Sequence, residues 1–197
     1  MIEFKNVDLE FQDLQIFQDF SFKIEKGEHA CFSGASGRGK STLLKMLQGY
    51  VIADKGKIII DQWELSQNTV DDIRNAVTWI PQNINLPVNN GKALLELMDL
   101  EHNWERIVTI AKKLLLEEDL LSKDFTKISG GQKQRVVIAI CLSIDKNIIL
   151  MDEPTASLDS AAIDALLETL SAMREKTILS ASHNEKWLRQ AERVIEL

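Results

Sequence analysis

Apolar and polar residues alternate along FSFKIEKGE, residues 20–28, which is the pattern of a strand with one face buried. IEFKNVDLEF, residues 2–11, alternates too, but its register slips midway. HACFS (29–33), KIIID (57–61), VTWI (77–80), NIILM (147–151) and TILSA (177–181) are instead short and almost wholly apolar, as strands of a parallel sheet covered on both faces are. Helical stretches separate most of them: KSTLLKMLQGY, AAIDALLETLSAM and NEKWLRQAE. This alternation predicts βαβ units and an α/β core. Between about Leu86 and Lys127 the rhythm changes. NGKALLELMDL and NWERIVTIAKKLLLEEDLL are helical, with Trp104, Ile107, Val108, Ala111, Leu114 and Leu115 at spacings of three and four. A helical subdomain inserted into the α/β core is expected there, entered through the turn-prone IPQNINLPVNNG; the alternative is a helical hairpin that only covers a sheet edge.

Composition narrows the function. With 197 residues the chain can bury one core, and a formal charge of −7 argues against nucleic acid or an anionic membrane as the main partner. Cys31 and Cys141 both lie in apolar runs, so reduced, structural thiols are expected. The longest apolar run, Val136 to Ile144, falls far short of the roughly 18–20 residues that cross a bilayer. MIEFKNVDLEF carries acids where a secretory signal needs a basic start and an apolar stretch. A soluble, cytoplasmic protein is expected, with any membrane part supplied by a partner.

The chemistry begins at Gly34-Ala35-Ser36-Gly37-Arg38-Gly39-Lys40-Ser41, followed by Thr42, which fits GxxxxGK[ST] between a buried run and a helical one. Glycines let backbone N–H groups wrap a phosphate, Lys40 reaches the β/γ-phosphates and the Ser41 hydroxyl binds Mg²⁺. A tight glycine turn with a solvated lysine is the competing explanation. Farther on, the buried run Ile148–Met151 ends in Asp152 and Glu153. Two acids at the carboxyl edge of a parallel sheet stand where ligands gather. Asp152 can support Mg²⁺ and Glu153 can polarise a water for attack on the γ-phosphate, unless the pair merely meets solvent. No NKxD guanine-reading motif is present. KISGGQKQRVVIAI, residues 127–140, has the makings of a second anion site, a serine and two glycines opening a long helix. Ser129 would equally serve as a plain N-cap.

ISGGQ, together with GASGRGKST, the glutamine of IPQN, IILMDEP, TASLDS and SASH, resembles the ATP-binding cassette (ABC) ATPases, with every motif in the family's order along the whole chain. The resemblance implies a P-loop NTPase core of mostly parallel sheet flanked by helices, with an N-terminal antiparallel β subdomain and an inserted helical subdomain. One domain spans residues 1–197, its core about 1–85 and 128–197 and its helical subdomain about 86–127. It further implies head-to-tail pairs of chains with two ATP molecules between them. Each ATP would lie between the phosphate loop of one copy and Ser129, Gly130, Gly131 and Gln132 of the other, with Asp159 coupling the two sites across the interface.

By the same resemblance Gln82 looks like the glutamine that touches Mg²⁺ and reports to the helical subdomain. His183 looks like the histidine that contacts the γ-phosphate and orients Glu153. Phe11 would stack on adenine, with Phe17 as its competitor. Arg38 stands where the family usually has a small residue, and Ile128 replaces the usual leucine before SGGQ. The implied activity is Mg-dependent ATP hydrolysis driving transport through a separate membrane subunit, whose coupling helix would meet the segment Asn83–Val88. Such a chain would sit on the inner face of the cell membrane. Two alternatives stand beside it: a soluble ABC ATPase of an assembly or repair system, and a degenerate regulatory cassette, which the filled catalytic positions oppose.

Overall fold

The register slip in the first strand has a structural cause. β1 (Ile2–Phe11) and β2 (Leu14–Ile24) pair antiparallel, with Ile2 opposite Ile24 and Phe4 opposite Phe22, and the register shifts between Phe4 and Val7. Asn6 sits inside that shift at φ 48°, in the left-handed region that asparagine tolerates better than most residues. The buried positions run Ile2, Phe4, then Val7, Leu9. A bulge of one residue thus keeps the apolar face inward after the phase of the sequence has changed. The computed structural model describes residues 1–12 and 14–197.

β4 (Lys55–Ile60) and β5 (Trp63–Glu64) complete an antiparallel sheet in the order β2-β1-β4-β5. This corrects the reading of KIIID as a strand of the parallel sheet. Ile58 and Ile60 face inward, but Ile59 is only half-buried and stands opposite Glu3. Three isoleucines in a row imitate burial on both faces, although one of them is on the outer side. The other sheet takes the order β6-β7-β8-β3-β9, with β3 (His29–Ser33), β6 (Val77–Ile80), β7 (Ile148–Asp152), β8 (Thr177–Ala181) and β9 (Arg193–Glu196). β8 pairs parallel with both β7 and β3, and β9 parallel with β3.

The chain forms two compact units. One is Met1–Thr78 with Lys146–Glu153 and Arg174–Leu197; the other is Trp79–Asp145 with Pro154–Met173. The first contains α1 (Lys40–Met46), α2 (Val70–Ala76) and α7 (Glu185–Gln190). A file of aromatic rings runs through its core: Phe4 stacks on Phe22 at 4.6 Å, and Phe22 meets Phe32 of β3 edge-on at 5.2 Å. Such pairs add about 0.5–1.5 kcal/mol each beyond area burial, and they tie the antiparallel sheet to the strand that leads into the phosphate loop.

The second unit is helical: α3 (Gly91–Leu97), α4 (Trp104–Lys113), α5 (Gly130–Ser143) and α6 (Ser160–Ser171). The helical segment expected over 86–127 lies within it. α4 is shorter than the periodicity suggests. Ile107, Val108, Ala111 and Leu114 are buried, but Leu115 is exposed at φ 57° and the chain turns away. The Arg135 guanidinium from α5 accounts for the stop, donating from Nη1 to the carbonyls of both Leu114 and Leu115 at 3.0 Å. It satisfies carbonyls that the end of a helix leaves without partners.

β3 opens on His29, whose ring packs edge-on against the fully buried Trp187 at 5.9 Å and whose Nε2 is buried without a partner. Burial holds this imidazole below its ordinary pKa, with the Glu192 carboxylate pulling weakly the other way. The unfolded chain therefore binds the proton more readily than the folded one, and stability falls as the pH drops below about 6.5. Urea denaturation of the wild type should lose stability between about pH 7 and pH 5. His29→Phe should remove that part of the slope, and an unchanged slope would show that His29 is not its source.

Candidate active site

The phosphate loop leaves β3 and enters α1 through Gly39, the helix N-cap, at φ 91°. A Cβ there would come within 2.6 Å of the Phe17 ring, so only glycine fits between loop and core. Lys40 is 8% exposed, and its ammonium donates to the loop carbonyls of Gly34 at 2.7 Å and Ala35 at 3.1 Å. The loop has thus wrapped around its own cation. Ser41 Oγ donates to Asp152 Oδ1 at 2.8 Å, joining the first turn of α1 to the end of β7. A hydroxyl and a carboxylate held together are oxygen donors of the kind Mg²⁺ selects. Gly37 and Arg38 are exposed, and Thr42 is half-buried in the first turn.

Parallel pairing of β7 with β8 sets Asp152 opposite Ala181, so Glu153 follows directly on one strand and His183 two residues on from the other. Burial pushes the Asp152 carboxyl above its usual value, Glu153 adds to that, and the Ser41 hydroxyl with Lys45 and Lys40 pulls it back. Glu153 is 7% exposed and stands at φ 45°, a conformation that costs a non-glycine residue about 1–2 kcal/mol. Its N–H donates to Ala181 O at 2.9 Å. Its Oε1 lies 3.0 Å from Nδ1 of the exposed His183, while Oε2 is buried with no partner. A carboxylate only accepts, so Nδ1 carries the proton in this contact. The unpartnered oxygen is the one that a water could fill. Gly34–Thr42, Asp152, Glu153 and His183 all belong to the first unit.

Phe11 belongs to that unit as well. It ends β1 opposite Leu14 and is 66% exposed, free to receive a flat ring. Its competitor Phe17 is 5% exposed and packs on Phe20 at 5.2 Å, as core does.

Ser129, Gly130, Gly131, Gln132 and Asp159 lie in the second unit. Ser129 caps α5 in a reciprocal box: its Oγ accepts from Gln132 N, and Gln132 Oε1 accepts from Ser129 N. Such a cap is worth about 1 kcal/mol. Ser129 and Gly130 are nonetheless exposed, and nothing stands within 4 Å of a Cβ placed on Gly130. The N-terminus of a fourteen-residue helix is therefore open to an anion. Asp159 caps α6, accepting from Ala162 N at 2.8 Å. Gln82 is exposed in the bend after β6.

Sequence reasoning passed over the residues that follow Gln132. Lys133 Nζ donates to Ile84 O at 2.8 Å and stands 5.3 Å above the Phe125 ring. The buried Gln134 donates to Pro154 O and accepts from Ser157 N. The available signal was a run of polar residues entering an otherwise apolar helix, which reads equally well as a solvated first turn.

Residues 17–156 match the ABC transporter family. An energy-coupling factor transporter ATP-binding protein of Oenococcus oeni is 32% identical over all of this chain and 76% of that protein. A general L-amino acid transport ATP-binding protein of Rhizobium johnstonii is 32% identical over 98% of this chain and 80% of its own length. Among solved structures, a dimeric ATP-binding cassette in a post-hydrolysis state with ADP and phosphate superposes with a TM-score of 0.89 at 28% identity, covering all of this chain and 94% of that one. A bacterial ABC exporter with ATP bound superposes at 0.87 and 26% identity, with this chain covering 36% of that one. With a family match over residues 17–156 and relatives above 30% identity along nearly all of its length, the chain belongs to the ABC transporter family as an ATP-binding cassette.

Proposed function

We propose that the chain is the ATP-hydrolysing subunit of a membrane transporter, working as a head-to-tail pair of copies with two ATP molecules at the interface. The observation that carries this reading is Glu153, strained and buried with one unpartnered oxygen and one oxygen engaged by His183, at the strand end that also bears Asp152. Relatives named for energy-coupling factor and amino-acid transport support transport through a separate membrane subunit. Among the described residues no helix is long and apolar enough to cross a membrane, so that subunit would hold the chain against the cytoplasmic face.

In this mechanism the N–H groups of Gly34–Lys40 and the Lys40 ammonium hold the β- and γ-phosphates. Ser41 and Asp152 would hold Mg²⁺, which when bound neutralises charge on the phosphate oxygens. Glu153 takes a proton from a water placed at its unpartnered oxygen as that water attacks the γ-phosphorus in line, the bond to the β,γ-bridging oxygen breaks and ADP leaves with that oxygen; His183 keeps the carboxylate turned toward the water. Ser129, Gly130 and Gly131 of the other copy add N–H groups and a hydroxyl to the γ-phosphate. Two helix N-termini then face one tetra-anion, and ATP acts as the adhesive. Phe11 stacks on adenine, and Asp159 meets the other copy at the interface.

Lys40→Ala should abolish tight binding of a fluorescent ATP analogue, because Lys40 is the ammonium that the phosphate loop itself encloses. Unchanged affinity would overturn the phosphate-loop assignment. Ser129→Arg should remove hydrolysis while a single chain still binds nucleotide; parallel loss of both would reduce Ser129 to a helix cap.

Glu153→Gln should lower the hydrolysis rate by about 10²–10⁴. It also removes a negative charge beside the γ-phosphate, so ATP should persist and hold two copies together. In size-exclusion chromatography with Mg-ATP the wild type should elute as a monomer and the variant as a dimer that ADP dissolves. A variant that hydrolyses normally, or a dimer indifferent to the nucleotide, would overturn the role given to Glu153.

A further inference from the structure

Gln134 stands one turn into α5, and the next residues inward, Val136 to Leu142, are buried and apolar. An apolar side chain would satisfy burial there as well. Instead a primary amide is 3% exposed, and both of its ends are used on one loop: Nε2 donates to Pro154 O at 2.9 Å, and Oε1 accepts from Ser157 N at 3.2 Å. Three residues earlier on the same helix face, Gly131 makes a second approach. A Cβ on it would come within 2.5 Å of Ser157 O. The first turn of α5 therefore grips residues 154–157 at two points.

That loop begins directly after Glu153 and ends two residues before Asp159, which caps α6. We infer that Gln134 is a positioning residue that makes the SGGQ turn and the segment leaving Glu153 one mechanical piece. The inference rests on the two-copy reading above. In such a pair, a copy lends SGGQ to its partner's ATP and Glu153 to its own. Gln134 is then the link by which one copy's grip on one nucleotide sets the geometry of hydrolysis at the other. The bond to Pro154 O is buried and the bond from Ser157 N partly so; removing the amide takes the partner from both backbone groups and lets the loop drift from the helix.

The test uses mixed pairs of differently tagged copies. One copy carries Lys40→Ala, leaving a single competent site made from the other copy's phosphate loop and the Lys40→Ala copy's SGGQ. Gln134→Met keeps the length of the side chain and removes both hydrogen bonds. Placed in either copy, it should lower kcat at the remaining site by about ten- to a hundredfold, the scale of a displacement of about 1 Å at a reacting centre. The lone Gln134→Met chain that keeps Lys40 should still bind the fluorescent nucleotide. Loss from only one of the two placements would show local support of that element alone and overturn the inference, as would no loss from either. Ser129→Arg in the Lys40→Ala copy should abolish the remaining activity. If activity survives that change, the head-to-tail reading itself fails and takes the inference with it. Should Gln134→Met fail to fold, Gln134→Glu, which keeps the acceptor for Ser157 N and loses the donor to Pro154 O, is compared in the same two placements.

Discussion

Parallel pairing of β3, β8 and β7 is the constraint on which the nucleotide site depends. Three adjacent strands that run the same way end at the same edge, and each delivers a different chemistry there. β3 ends in the phosphate loop, β7 in Asp152 and Glu153, and β8 shortly before His183. Residues more than a hundred positions apart, Ser41 and Asp152, come within hydrogen-bond distance because of that pairing. An antiparallel partner in the middle would send one of these groups to the opposite edge. The register is held by β7 and β8, buried along their whole length, since a slip of one residue would turn every side chain over.

The same edge concentrates charge that water would otherwise solvate. Lys40, Asp152 and Glu153 are each at least nine-tenths buried, with Lys40 Nζ, Asp152 Oδ1 and Glu153 Oε1 each met by a protein group. Glu153 keeps an unsatisfied oxygen and a left-handed backbone. Neither feature serves stability, and both persist because Ala181 O and His183 hold the residue from two sides. Unspent hydrogen-bonding capacity on a held carboxylate is what a reacting water requires.

What was legible in the sequence was whatever local spacing encodes. The phosphate loop, the strand ending in two acids and the SGGQ helix start are each readable within about ten residues, and the bulge in β1 showed as a change of phase. KIIID was misplaced because apolarity reports burial but not which sheet provides it. The end of α4 was missed because Leu115 continues the helical pattern while Arg135, twenty residues away, takes the last carbonyls. Gln134 escaped for a related reason: its partners are backbone groups of a loop twenty residues farther on, and backbone leaves no mark in a side-chain pattern.

The two ends of the chemistry differ in exposure, and that difference argues for a second chain. Glu153 is buried in its own unit with its partners drawn from the same chain. Ser129 and Gly130 are open to solvent, although they cap a helix whose interior positions are fully covered. For capping alone the glycine confers no advantage, because a bulkier residue at Gly130 would meet nothing. Its missing side chain leaves the first N–H groups of the helix uncovered. Gly131, one residue on, faces the other way, pressed against the carbonyl of Ser157. Of two adjacent glycines, one leaves the helix start open and the other lets the chain that leads away from Glu153 come close. On the two-copy reading proposed above, this one helix start would serve both a nucleotide arriving from outside and the loop behind Glu153.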